Sequence, residues 1–297
     1  FDIDVQGGQR FRESDTLSPG NAITTFETAF GTMGLCVCFD LRFEELGETD
    51  EKETQITVLK AQNTWFYYDR SSGKYIYSNS DNGGTVVGCF HLLIDSFRRF
   101  DDAAEEAEEY DGGFVAWIDG EYQVRGGAYL SKEDALDAAD ELGEGEVVGT
   151  SAYAVTVIQT GTDRVLFQFD GGEDLALGIM PDVTGEDEVR TWFQGYKYHG
   201  GFRYERIGGG DLTVVSVVDM ETYIKGVIPF EMSNDWPLEA LKAQAICARS
   251  YAYNNISQNK HSAHHFDVCS STDCQVYRGA GSNVSSYQST DRTDRAV

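Results

Sequence analysis

Between Leu212 and Asn254 the sequence changes its hydrophobic period. The run Leu212-Thr213-Val214-Val215-Ser216-Val217-Val218-Asp219-Met220-Glu221-Thr222-Tyr223, rich in β-branched residues at its start, begins as a strand, with Ile224 to Met232 leading out of it. Beyond it, Leu238, Leu241, Ala245, Ala248 and Ala252 recur at three- and four-residue steps, the spacing of one face of a helix. Pro237 suits a first helical turn, and Asn234 or Asp235 offers an acceptor for the free amides at that end. A helix from Pro237 to about Asn254 following a strand predicts a local α+β unit. At about 100° per residue, Lys242 and Arg249 align two turns apart on a stripe that borders the core face.

The rest of the chain is strand-rich. Thirty-two glycines against four prolines, with many Tyr, Phe, Val and Thr, predict short strands joined by tight turns, so the expected class is a mixed α+β, multidomain chain. Its 297 residues suffice for two or three domains. With 50 acidic against 23 basic residues the formal charge is -27, which repels nucleic-acid phosphates and anionic lipid and argues against nucleic acid as a partner. No stretch approaches the ~20 apolar residues of a membrane span. The chain opens at Phe1 without a charged leader, so any targeting segment is expected to be absent from it.

Three zones follow from composition: 1–47, 48–195 and 196–297. The acidic stretch Glu48-Thr49-Asp50-Glu51-Lys52-Glu53 marks the first boundary. From Gln55 to Tyr75 the pattern is strand, turn, strand, and the alanine-containing acidic run between Phe97 and Tyr110 favours a solvated helix. Gly113 to Ile118, a turn at Asp119-Gly120, and Tyr122 to Tyr129 form two strands. Ser131 caps a following helix from Lys132 to Leu142, with Ala135, Leu136, Ala139 and Leu142 on its inner face. This strand, strand, helix unit at 110–147, with Gln-Val-x-Gly-Gly-Ala-Tyr ahead of Ser-Lys-Glu-Asp-Ala, resembles the SPOR family of glycan-binding modules. A module that only packs against its neighbour explains the same residues equally well.

The C-terminal zone carries Tyr223, Lys225-Gly226-Val227, Glu231-Met232, Trp236-Pro237, Ala240-Leu241-Lys242-Ala243-Gln244-Ala245, Ala248-Arg249-Ser250-Tyr251-Ala252 and, further on, Ser271-Thr272-Asp273-Cys274-Gln275-Val276-Tyr277-Arg278-Gly279. In this order the motifs resemble the stage II sporulation protein D/LytB family. The resemblance implies a SpoIID-like α+β domain that acts on peptidoglycan in the cell envelope or outside the cell, during sporulation or wall remodelling. It implies Glu231 as the acid of a lytic transglycosylase, with Lys242 and Arg249 from the next helix, and Tyr223, Gln244, Gln275 and Tyr277 as substrate-binding residues. It also implies family residues beyond Val297, among them a Tyr. LytB-type relatives suggest the alternative of a non-catalytic enhancer of a cell-wall amidase, or a glycan-binding protein. By position alone Glu231 is equally a surface carboxylate near a helix start, favoured there by the helix dipole.

The chemistry suits one carboxyl. Breaking a β-1,4 glycosidic bond needs a proton on the leaving oxygen, which a carboxyl in an apolar setting supplies, and Phe230, Met232 and Trp236 are candidates for that setting. Once ionised, the same group can deprotonate the C6 hydroxyl of the sugar. No cofactor is required. Glycan strands freed of stem peptides, with fewer charges, suit an acidic protein best.

Cys269 and Cys274 lie five apart, with His261, His264 and His265 upstream. By residue type they suit a disulfide, two reduced thiols, or a structural zinc in which His264 or His265 completes the ligand set. Cys247, on the helix, is expected as a packed small residue.

Residues 1–47 point elsewhere. Phe1-Asp2-Ile3-Asp4-Val5, Thr16-Leu17-Ser18-Pro19-Gly20 and Gly34-Leu35-Cys36-Val37-Cys38-Phe39-Asp40-Leu41-Arg42-Phe43-Glu44-Glu45-Leu46 resemble a fragment of the nitrilase/omega-amidase (carbon–nitrogen hydrolase) superfamily. The resemblance implies Cys38 as a nucleophile without its Glu and Lys partners, hence a segment inert as an amidase. By the residues themselves, Cys36 and Cys38 read as small buried side chains within a strand running from Met33 to Phe39.

Overall fold

The structure is a computed structural model that describes residues 56–180, 191–193, 196–282 and 288–297, together with four short strands before residue 36. The chain divides into two compact units, 1–37 and 38–297. In the first, β1 (Asp2–Val5) pairs antiparallel with β2 (Gln9–Arg12), and β3 (Thr24–Thr28) with β4 (Gly31–Leu35). The strand expected from Met33 onward is met by β4 in its first residues; Cys36 and Cys38 lie outside the described residues.

The second unit begins with β5 (Ile56–Lys60), then β6 (Thr64–Asp69), β7 (Lys74–Ser78) and β8 (Thr85–Val87). Next come β9 (Phe90–Phe97), α1 (Phe100–Ala107), β10 (Gly113–Ile118), β11 (Glu121–Tyr129), α2 (Lys132–Leu142), β12 (Glu146–Val148), β13 (Val155–Gln159) and β14 (Val165–Asp170). A seven-stranded sheet runs β12-β9-β11-β10-β14-β13-β5, with β10 and β14 parallel. The strand, strand, helix unit read at 110–147 is thus the middle of a longer βαββαβ arrangement, Phe90 to Val148, whose four strands lie in the order fourth, first, third, second.

Alternation along the strands divides the core. Val115 and Trp117 of β10 join Val124, Val155, Val157, Phe167 and Phe169 beneath Ala103 and Ala107 of α1. Phe114 and Ala116 point the other way, with Ile158 and Val165, and are covered by Phe66 and Val87 of the small sheet β7-β6-β8. Asp119 and Gly120 both take positive φ (50° and 93°), as a two-residue hairpin turn requires. The Ser131 hydroxyl accepts from the Asp134 amide at 3.1 Å, and the Asp134 carboxylate accepts in return, so the expected cap is a full capping box. The apolar face of α2 is narrower than expected: Ala135 is buried, whereas Leu136 and Leu142 stand in solvent at the sheet edge.

The C-terminal part contains β15 (Leu177–Ile179), β16 (Thr191–Phe193), β17 (Tyr196–Tyr198), β18 (Gly201–Glu205), β19 (Thr213–Val217), α3 (Met220–Glu231), α4 (Leu238–Ser257) and the short α5 (Asp291–Asp294). β19 is the expected strand, and it pairs with β18 in the sheet β15-β18-β19. Met220 to Glu231, expected as the end of the strand run and the segment leading out of it, is helical instead. The Asp219 carboxylate starts α3 by accepting from the Thr222 amide at 3.0 Å, and Tyr223, Ile224, Val227 and Ile228 then fall on a buried face. That face packs with Leu241, Ala245, Ala248 and Ala252 of α4, as their spacing predicts. Neither Asn234 nor Asp235 caps α4; its start is Pro237, and the Asn234 amide group donates to the Gln288 carbonyl at 2.8 Å.

Candidate functional site

Glu231 is the last residue of α3, and its carboxyl is exposed. One oxygen, Oε1, accepts a 3.0 Å hydrogen bond from the backbone amide of Val276. The segment after Cys274 runs back along α3: the Tyr223 hydroxyl donates to Gln275 Oε1 at 3.3 Å, and the Arg278 amide donates to the Gly226 carbonyl at 3.4 Å. Tyr277 lies against Tyr223 with ring centres 5.0 Å apart. Burial pushes the Tyr277 hydroxyl up to about 12 and that of Tyr223 higher still, so both remain protonated. Tyr223, Gln275 and Tyr277 are each buried, so they form the floor that carries Glu231 rather than a surface facing sugar. Gln244 is half-buried on α4.

The apolar setting expected around Glu231 is open: Met232 packs into the core and Trp236 is 50% exposed. Both cations of the α4 stripe are engaged by other carboxylates. Lys242 pairs with Glu239 at 2.9 Å. Arg249 donates from Nε to Glu221 at 2.7 Å and from Nη2 to its second oxygen, and these bonds hold its pKa above the usual value. Glu221 and Glu231 stand at opposite ends of α3, ten residues and so about 15 Å apart along the axis.

Beside this floor, His261, Cys269, Asp273 and Cys274 gather their donor atoms within 4.8 Å of one another. His261 Nε2 is 3.1 Å from Cys274 Sγ and 3.7 Å from an Asp273 oxygen. Lys260 Nζ bonds Asp273 and reaches Cys274 Sγ at 3.5 Å. Burial raises the Cys274 thiol, whereas at Cys269 burial is outweighed by hydrogen bonds from Ser271 and Cys274, which lower it. Two thiols, an imidazole and a carboxylate are a donor set that fits tetrahedral zinc, and four protein ligands would leave no open position. The imidazole is His261, not His264 or His265. His264 stacks on Phe266, and His265, with φ of 56°, turns its Nδ1 to Glu205 while its carbonyl accepts from Arg203. Asp273 was not anticipated as a ligand; its place next to Cys274 was the available signal. Cys247 is exposed on α4, contrary to expectation.

The sequence model of the family described as stage II sporulation protein, SpoIID, matches residues 208–297. This segment is a SpoIID domain. It holds β19, α3, α4, the thiol cluster and Glu231, and it ties the C-terminal part of the chain to sporulation. An uncharacterized protein of Brachyspira hyodysenteriae is 46% identical over 113 residues, 37% of this chain and 30% of that protein. Omega-amidase NIT2 of Homo sapiens is 52% identical over 122 residues, 39% of this chain and 38% of its own length. Hydrolase C26A3.11 of Schizosaccharomyces pombe is 59% identical over 46 residues, 16% of this chain and 14% of the relative. The chain therefore spans well under half of these relatives. The amidase likeness, over partial segments, agrees with the nitrilase-like fragment read at the N-terminus, beside a SpoIID domain. No solved structure matches the chain.

Proposed function

We propose that the SpoIID domain cleaves peptidoglycan glycan strands as a lytic transglycosylase in the cell envelope, with Glu231 as its single acid and base. The observation that supports this most is the exposed Glu231 carboxyl, fixed by the Val276 amide at the end of a buried helix in the segment that matches the sporulation family. The carboxyl gives its proton to the glycosidic oxygen as the bond from that oxygen to C1 breaks. The resulting carboxylate takes the proton of the sugar's C6 hydroxyl as that oxygen closes on C1. A 1,6-anhydro sugar results and no water is consumed. Zinc in the His261, Cys269, Asp273, Cys274 cluster would be structural, and strands without stem peptides remain the substrate that suits the charge of -27.

A second reading, glycan binding or enhancement of a cell-wall amidase without cleavage, is favoured by the commitment of Lys242 and Arg249 to Glu239 and Glu221. Amide hydrolysis from Cys38 rests on the likeness to omega-amidases alone. Peptide-free glycan strands incubated with the full-length protein carrying this domain separate the readings. Anhydro ends that vanish with Glu231→Gln support cleavage; retained strand binding with no new ends, or turnover that survives the substitution, rejects it.

A further inference from the structure

The thiol cluster and Glu231 are joined by three consecutive residues. Cys274 contributes its Sγ to the cluster, Gln275 accepts from Tyr223 on α3, and the Val276 amide holds Glu231 Oε1. Two residues of extended chain span at most about 7 Å, so a group that pins Cys274 also limits where the Val276 amide can stand. The next residues prevent this segment from sliding: Tyr277 covers Gly226 of α3, and the Arg278 amide bonds the Gly226 carbonyl. The far side of the cluster is fastened to a different element. His261 lies just past α4, after Gln258, Asn259 and Lys260, and Lys260 bonds both the carbonyl and the carboxylate of Asp273. Glu231 therefore contacts a strip of chain that runs from α3 to the cluster.

We infer that Glu231 and a zinc ion at His261, Cys269, Asp273 and Cys274 are energetically coupled through the Cys274–Val276 segment, the metal positioning the Val276 amide that orients the carboxyl. Coupling of this kind is reciprocal: whatever the metal does for the carboxyl, the carboxyl must do for metal affinity. An outer partner that orients ligand-bearing chain typically changes metal affinity by about 10–100-fold. Here the partner acts through a backbone amide, and its effect belongs at the lower end, about tenfold.

The inference rests on the metal reading of the cluster and not on the transglycosylase reading. Its test is zinc affinity, measured on the reduced full chain by competition with a chromophoric chelator. Glu231→Ala removes the acceptor and is expected to weaken zinc by about tenfold. Glu231→Gln keeps an oxygen for the Val276 amide and is expected to restore affinity to within about twofold, although it cannot transfer a proton. Glu239→Ala removes the same charge from an exposed site on α4 and is expected to change little, which separates coupling from loss of negative field. Hydrogen exchange gives a second readout: zinc should slow exchange at the Val276 amide in the wild-type and Gln proteins, not in the Ala protein. Equal affinities for Glu231→Ala and Glu239→Ala, a Gln protein as weak as the Ala protein, or no zinc binding by the wild type would overturn the inference. Loss of cleavage in the Gln protein with unchanged zinc affinity would leave both readings standing, so their failures are distinguishable.

Discussion

Arg249 closes on both carboxylate oxygens of Glu221 and also donates to the Val297 carbonyl, tying the middle of α4 to the first turn of α3 at the end remote from Glu231. The two side chains are 32% and 53% exposed, so solvent screens the pair. Exposed pairs contribute roughly 0.2–1 kcal/mol, and the forked geometry places this one near the top of that range. Arg249→Ala should therefore lower stability to urea by about 1 kcal/mol, and Arg249→Lys should recover part of it, because an ammonium cannot make both bonds. Turnover per folded molecule should stay close to wild type. A loss as large as that of Glu231→Gln, with unchanged unfolding, would return Arg249 to the catalytic set.

Gly226 of α3 packs directly against the segment that holds Glu231. A methyl group there would sit 2.4 Å from the ring of Tyr277 and 3.0 Å from the Gly279 carbonyl oxygen. The ring is wedged between Tyr223 and Tyr198 and has little room to withdraw. Alanine gains roughly 1 kcal/mol of helix propensity over glycine, while overpacking costs about 1–3 kcal/mol, so the clash is expected to win. Gly226→Ala should lower the denaturation midpoint, and in Gly226→Ala/Tyr277→Leu the two effects should be less than additive. Strict additivity would show that the ring is not the obstacle.

What the sequence disclosed, and what it hid, follows from how far each signal reaches along the chain. The α4 face from Leu241 to Ala252, the Ser131 cap and the Asp119-Gly120 turn are written in neighbouring residues, and each was legible. The helix α3 was missed because Ile224, Val227 and Ile228 are β-branched and Gly226 and Pro229 lie among them, poor helix formers overridden by packing on α4. Membership of β9 and β12 in one sheet was hidden for another reason: their pairing spans more than fifty residues and has no local signature. At the site, motif order singled out Glu231. The partner of Lys242, Glu239, lies three residues back on the same helix, but those of Arg249 and His265, Glu221 and Glu205, are tertiary neighbours that spacing along one helix cannot report.

His91 gives the βαββαβ arrangement a pH dependence. It is fully buried, with Nδ1 2.6 Å from the Gly127 carbonyl and Nε2 3.0 Å from the Gln168 amide nitrogen, so the neutral ring donates at Nδ1 and accepts at Nε2. Gln168 in turn donates to Thr156 and accepts from Arg125, which leaves no acceptor for a second imidazole proton. Burial depresses the His91 pKa from 6.5 to about 4. Between those values the unfolded chain binds the extra proton, so stability rises with pH through the window and falls as pH drops from 6.5 toward 4. The full difference corresponds to about 3 kcal/mol at most. Urea titrations at intervals across the window should show this slope, and His91→Gln should flatten it while lowering stability at pH 7. An equal slope in the variant would assign the acid sensitivity to carboxylates instead.

Metal affinity decides which imidazole belongs to the thiol cluster. His261 Nε2 faces Cys274 and Asp273, whereas His265 is turned to Glu205 and His264 to Phe266, so three neighbouring histidines should differ sharply in their effect on metal. Reduced protein freed of chelator should carry about one zinc per chain, with the thiols ionised on binding. Replacing both Cys269 and Cys274 with Ser should abolish binding, since oxygen of a neutral hydroxyl is a poor substitute for thiolate. His261→Ala should weaken zinc by at least about tenfold, and Asp273→Asn by less, because the amide keeps a neutral oxygen donor but loses the charge. His264→Ala and His265→Ala should leave affinity unchanged, although the latter should loosen the loop by releasing Glu205. Cobalt substitution offers a direct view: thiolate-to-metal charge-transfer bands and tetrahedral ligand-field absorption should appear in the wild type, persist in the His264 and His265 variants, and fade in the His261 variant. Protein isolated with a mapped Cys269–Cys274 disulfide that still takes up no metal after reduction would reject the site, and a loss confined to His264 or His265 would reassign it.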